Sequence, residues 1–316
     1  NFSNSILTSV DLSGKDLTGV KLRNMDMSNH DLTGTILAEA DLTNAVLPKS
    51  FTAGNWNDFT STIFDGVDLS GKDLSQSNFN SASFVTTDME NLTTYGTVFL
   101  EVDFTKIKNK SLAGIDASYT SFAYSNLSGV NLDDSNLSYI NFQFTDLSDQ
   151  DFTNNTTVVG NDFLEAILPN ANFEGVNLGS VEATVTYENQ KHVVQDYMHD
   201  PEKLRMIVED ELLQIPQTTK QIIVILSVHI RGDDVVVKLG RINNFSNANL
   251  ENANFKNTDL KFVVFHSANL TNANFAGADL SYAVLKDANL EGANMENTVL
   301  KNANLNCLNH PICEND

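Results

Sequence analysis

The chain has 316 residues, 41 of them acidic and 19 basic, for a formal charge of −22. Such a surface repels nucleic acid and anionic membrane. The longest apolar run, QIIVILSVHI at 221–230, is too short to span a bilayer, so membrane insertion is excluded as well.

From the first residues the chain keeps a period of five. Leu or Phe recurs at that interval from Phe2 to Leu47, Phe59 to Phe104, Leu112 to Phe152 and Phe163 to Leu178. The period is plainest from Phe245 through Leu250, Phe255 and Leu260 to Leu305. Neither a helix of period 3.6 nor a strand of period 2 produces it. Two residues before each late centre sits a small or β-branched residue (Ala248, Ala253, Thr258, Val263), with Asn or Asp usually between. Two inward residues of unequal size and three outward polar ones suit a narrow tube with four short sides. In the first half the small position holds Lys15, His30, Lys72 and Gln150. Their polar ends are expected to reach solvent at corners.

The period lapses in places. Residues 48–58 (PKSFTAGNWND) hold the sole tryptophan, Trp56, and read as a loop bulging from the tube, a place where recognition concentrates. Shorter slips lie near 106–110 and 154–160. The largest break is 181–242. TVTYE at 184–188 alternates like a strand, and QKHVVQDYMHD reads as helix. Asp200-Pro201-Glu202 signals a helix start, with Leu204, Ile207, Val208 and Leu212 on one face. QIIVILSVHI and DVVVKL read as strands joined at Gly232-Asp233. A small α+β module is therefore expected, spliced into the tube with its ends close together. Arg231, Asp233 and Asp234 at its turn, with Trp56, are the candidate interaction residues. Arg231-Gly232-Asp233 also resembles an adhesion tripeptide.

The unit ANLENANFKNTDLKF resembles the pentapeptide-repeat proteins over roughly three quarters of the chain. That resemblance implies a right-handed quadrilateral β-helix, four units to a coil, all-β apart from the α+β insertion. Roughly eleven or twelve coils at ~4.8 Å would make a rod about 55 Å long. The expected organisation is β-helix over 1–180, inserted module over 181–242, β-helix over 243–306 and a cap over 307–316. The resemblance also raises a DNA-mimicking inhibitor, since some members resemble duplex DNA and bind DNA gyrase.

Cys307 and Cys313 follow the last repeat and are compatible with a disulfide or a pair of free thiols. A bond would stop the last coil fraying. Asn1 in place of a methionine leads to the expectation of a processed product. Sequons fall at Asn1, Asn91, Asn109, Asn126, Asn136, Asn154, Asn155, Asn244 and Asn269. Most arise automatically where Asn precedes a centre, which leaves Asn1, Asn109, Asn154 and Asn155 as candidate glycosylation sites. With the cysteine pair they point to an exported protein.

No nucleophile elbow, phosphate loop or H-E-x-x-H motif occurs. Asp133, Asp134, Asp146, Asp149 and Asp151 lack EF-hand spacing. The sequence therefore leads us to expect no enzyme, cofactor or metal. It suggests a structural or interaction protein of the cell envelope or exterior, bound to protein partners or to further copies of itself. A DNA mimic acting on a topoisomerase is the alternative.

Overall fold

The computed structural model describes residues 1–4, 10–52, 57–155, 157–179, 181–187, 191, 223–231 and 234–313. The chain winds as a right-handed quadrilateral β-helix. Parallel bridges join residues twenty apart, as in Asn249 to Asn269 and Asn269 to Asn289. Within one coil the bridging positions advance by five: Asn249, Asn254, Asp259 and Val264, then Asn269 beside Asn249. Each coil thus has four short sides.

The period of five follows from this geometry. Phe245, Leu250, Phe255 and Leu260 are fully buried on the axis, and Ala248, Ala253 and Val263 close the wall beside them. Phenylalanines stack from coil to coil. One column runs Phe59, Phe79, Phe99, Phe122, Phe142, Phe163, Phe245 and Phe265, with ring centroids 4.4 to 5.9 Å apart. Burying each such side chain contributes about 1.5–3 kcal/mol, and the contacts are between neighbouring coils.

Corners follow from the polar residues. The Ala248 N–H donates to the Phe245 carbonyl at 3.1 Å, closing a four-residue turn. Its third residue, Asn247, has φ 57°. That left-handed conformation favours Gly, Asn and Asp. Gly14, Gly19, Asn252 and Asn257 fill the same position elsewhere. The Asn or Asp before each centre caps the corner, because its side-chain oxygen accepts the N–H two residues on. Asp16 Oδ1 takes the Thr18 N–H at 3.0 Å and the Thr18 hydroxyl at 2.6 Å. Asn274 Oδ1 takes the Ala276 N–H at 3.2 Å.

Three departures from the sequence reading have local causes. Gln150 does not reach solvent. It is 3% exposed, and its Nε2 donates to the Leu127 and Val130 carbonyls at 2.6 and 2.9 Å, closing buried backbone acceptors. Lys15 is exposed, His30 is half-buried, and Lys72 Nζ reaches the Pro48 carbonyl at 3.3 Å. Second, the segment 48–58 is not wholly outside the tube. Phe51 is 6% exposed, with its ring edge on Phe59 at 6.1 Å. Third, the slip at 106–110 is a pair of 3-10 turns, Phe104–Lys106 and Lys108–Lys110. They lengthen one coil, so Thr93 bridges to Asp116.

Among the described residues the insertion carries three strands: β1 (Val181–Tyr187), β2 (Ile223–Arg231) and β3 (Asp234–Arg241). They form an antiparallel sheet in the order β1-β3-β2. Val181 pairs with Arg241, so the two ends of the insertion meet. The rod keeps its register across it: Asn177 bridges to Asp259 and Asp162 to Asn244. The whole excursion therefore replaces one corner. Asn243 ties its neck. Fully buried, it accepts the Asn161 N–H at 2.9 Å and donates to the Leu178 carbonyl at 2.8 Å and the Val158 carbonyl at 3.3 Å. The helix expected over 190–200 and the one expected to start at Asp200-Pro201-Glu202 lie outside the described residues except for Lys191, as do Gly232 and Asp233. At the far end Leu308 bridges back to Asn289, and Cys307 and Cys313 are joined by a disulfide.

Candidate interaction surface

The corner that leads into the column Ser121, Asn141, Asp162, Asn244 and Val264 carries aromatic residues. At its third turn position, where Asn or Gly is usual, stand Tyr119 and Tyr139, and beyond the insertion Phe262 and Tyr282. Tyr119 lies on Tyr139 at 4.8 Å and beside Tyr95 at 5.3 Å, and Phe262 on Tyr282 at 4.9 Å. The next corner repeats the arrangement, with Tyr124 on Phe144 at 4.6 Å. All six carry φ between 57 and 64°. Holding a bulky residue there costs about 1–2 kcal/mol relative to the right-handed region, and a stacked aromatic pair returns about 0.5–1.5 kcal/mol. Covering part of each ring returns about 1 kcal/mol more and offsets the strain, yet Tyr119 stays 46% exposed and Tyr124 56%.

Acids bracket this surface. Glu101 precedes Tyr124 along its corner and Glu165 follows Phe144, as the backbone bonds from Glu101 N to Ala123 O and from Phe144 N to Leu164 O establish. Glu101 is turned away from the ring, its Oε2 accepting the Ser81 hydroxyl at 3.2 Å. Residues 76–165 contain three lysines and no arginine. Those lysines, Lys106, Lys108 and Lys110, sit at the following corner. There Lys106 pairs with Asp103 at 2.8 Å and Lys108 with Asp88 at 2.6 Å. Hydrogen bonds from these ammonium groups to the aspartates raise both above the ordinary lysine range. On the same side of the rod lie two shallow hollows, of ≈ 230 Å³ near Gln76, Gly96 and Val98 and ≈ 340 Å³ near Leu164, Val264 and His266.

Most aspartates elsewhere are committed to the corners. Hydrogen bonds from the Thr18 hydroxyl and N–H hold the Asp16 carboxyl below the usual carboxylate range, and Ser13, Ser28 and Thr33 do the same for Asp11, Asp26 and Asp31. At Asp41 burial pushes the other way, and the Thr43 hydroxyl and the Arg23 guanidinium outweigh it. Asp146 caps Ser148, Asp151 caps Thr153, Asp133 accepts from Asn154 and Asp149 from Asn170. Among the described residues no three His, Cys, Asp or Glu gather as metal ligands.

The candidate residues from the sequence do not converge. Arg231 pairs with Asp234 at the β2–β3 end of the sheet, while Trp56 and Asp233 lie outside the described residues. Asn1 and Asn109 are exposed. Asn154 is exposed with its amide on Asp133, and the Asn155 amide is buried. The aromatic corners escaped the sequence reading because Tyr119, Tyr124, Tyr139 and Phe144 fall two residues after each centre, among positions treated as interchangeable. Their shared spacing of five was the available signal.

The family profile of pentapeptide repeats matches in 8 copies, at residues 1–24, 16–50, 58–91, 118–154, 244–281 and 278–309, more than half of the chain. The chain belongs to the pentapeptide-repeat family. No curated protein matches this pentapeptide-repeat chain in sequence. Among solved structures it is similar to HetL, a pentapeptide repeat protein involved in heterocyst differentiation regulation from the cyanobacterium Nostoc sp. strain PCC 7120. The identity is 18%, with 95% of this chain and 91% of that one covered and a TM-score of 0.28. Another similar structure is QnrB1, a plasmid-mediated fluoroquinolone resistance protein, at 11% identity, 92% and 91% coverage and a TM-score of 0.23. A third is Rfr23 from the cyanobacterium Cyanothece 51142, at 18% identity, 64% and 92% coverage and a TM-score of 0.17. The family is one of repeats and indicates no catalytic class. Among the described residues no helix is long and apolar enough to cross a membrane.

Proposed function

We propose that this pentapeptide-repeat protein is a non-enzymatic protein-interaction scaffold of the cell envelope or exterior, organised as a rod over 1–180 and 243–306 that presents the module 181–242. The observation that carries the reading is the splice. A three-stranded sheet is mounted on one corner while the rod continues in register from Asn177 to Asp259. An insertion that leaves the core unchanged adds surface rather than stability. The Cys307–Cys313 bond supports export, because disulfides persist in oxidising compartments.

The test deletes 181–242, which brings Leu178 and Phe245 to the five-residue spacing of the repeat, and measures partner capture by cross-linking and mass spectrometry. Loss of capture with an unchanged β-sheet circular dichroism spectrum is the expected result; undiminished capture refutes the module's role. Glycans on Asn1 or Asn109 in protein from its native source would support export, and a bare methionine start in the gene would oppose it.

The charge of −22 on a narrow rod favours one second reading, an acidic DNA mimic that binds a topoisomerase such as DNA gyrase. It requires inhibition of supercoiling that weakens steeply with salt.

A further inference from the structure

We propose that the surface between Tyr119–Tyr139 and Tyr124–Phe144 docks an arginine-bearing segment of a partner protein. This rests on the interaction-scaffold reading and gives it a site on the rod itself, separate from the inserted module. Four aromatic side chains occupy neighbouring corners in backbone conformations that Asn or Gly adopts more cheaply. Stacking between coils accounts for their contacts with one another but leaves Tyr119 and Tyr124 about half exposed.

The charge around them selects the occupant. Glu101 and Glu165 stand at the two ends of the Tyr124–Phe144 column, and no Lys or Arg lies on either corner or on the side between them. A planar cation can lie against a tyrosine ring, accept the company of a carboxylate and donate to phenol oxygens together, which favours guanidinium over ammonium. A second copy of this chain brings −22 of its own, and nucleic acid or anionic lipid brings like charge. An arginine-bearing protein segment is the occupant that charge and ring chemistry both favour.

The test uses the full-length protein and two soluble nonapeptides of alternating residues, Arg-Gly and Lys-Gly, equal in charge. By calorimetry the wild type is expected to bind the arginine peptide about fivefold more tightly than the lysine peptide. The variant Tyr119→Asn/Tyr124→Asn/Tyr139→Asn/Phe144→Asn keeps a residue suited to positive φ, and a native β-sheet circular dichroism spectrum at the assay temperature checks that it is folded. Its preference should fall within about twofold. Phe262→Asn/Tyr282→Asn, farther along the rod, should leave the preference intact. Equal binding of the two peptides by wild type, or a preference that survives the four substitutions, overturns the proposal. A wild-type dimer in sedimentation that the four substitutions abolish also overturns it, in favour of self-association. Partner capture that depends on residues 181–242 while these arms fail would leave the scaffold reading standing without this site.

Discussion

The first coils and the last share one backbone and differ in what caps it. Around Asp11, Asp16, Asp26 and Asp31 the caps are carboxylates, each accepting an N–H and in most cases a hydroxyl. Along Asn254, Asn274 and Asn294 they are amides. An amide both accepts the corner N–H and donates to the amide one coil below: Asn254 to Asn172 at 3.1 Å, then Asn274 to Asn254 and Asn294 to Asn274 at 3.2 Å. A carboxylate cannot donate, so stacked aspartates repel; Asp11 pushes the Asp31 carboxyl up even as Thr33 holds it down. Much of the chain's acidity is therefore corner chemistry rather than a signal to partners. The inner small position differs too. It is Ala, Thr or Val throughout the last coils, and Lys15, His30 and Lys72 interrupt it in the first half.

The largest expected effect comes from cutting into the regular end. Phe255 is fully buried between Phe173 at 5.1 Å and Phe275 at 5.0 Å. Phe255→Ala should cost about 3–5 kcal/mol by chemical denaturation, while Leu17→Ala, only half-buried among the first coils, should cost clearly less. Equal losses would erase the contrast. Removing the terminal bond by Cys307→Ser/Cys313→Ser should cost about 2 kcal/mol. Hydrogen exchange should localise that loss to the amides of Leu290 and Leu308, which bond across the last coil. A loss spread to the first coils would contradict nearest-neighbour stability.

A smaller change bears on whether the two ends are one rod. Asn243→Ala strands the Asn161 N–H and the Leu178 carbonyl in a dry neck, at about 1–3 kcal/mol. The single thermal transition expected of wild type should broaden or split there. No change would mean that the neck is not where the two halves are coupled.

The axis was legible because its period of five is carried by large apolar residues that nothing else explains. The strands of the insertion were legible by alternation, and TVTYE lies within β1 but for its last residue. The corners were less so. Gly14, Gly19, Asn252 and Asn257 sit at a fixed offset from the centres, yet Asn and Gly also mark ordinary loops, and the offset takes on meaning only once a left-handed turn is known to lie there. Gln150 and Asn243 carried no local signal, since each answers to carbonyls brought near by winding. The aromatic surface was hidden for the same reason: Tyr119 and Tyr139 are neighbours only because a coil takes twenty residues.

The smallest predicted effect is on pH. The folded-state carboxyls of Asp11, Asp16, Asp26 and Asp31 are lowered, so their contribution is complete above the unfolded value of about 3.9. It fades as pH falls through the folded values. The aspartate-capped coils should loosen first below about pH 4, and Asp16→Asn with Asp26→Asn should narrow the gap.

That an Asn or Asp before a centre caps the corner two residues on is open to direct test by a backbone amide NMR titration from pH 6 to about 2. The Thr18, Ser28 and Thr33 amides should shift with midpoints below the ordinary aspartate value, while Lys256, Thr271 and Ala276, capped by Asn254, Asn269 and Asn274, stay still. Amides of the first set that do not titrate, or that titrate at the free-aspartate midpoint, would contradict the account.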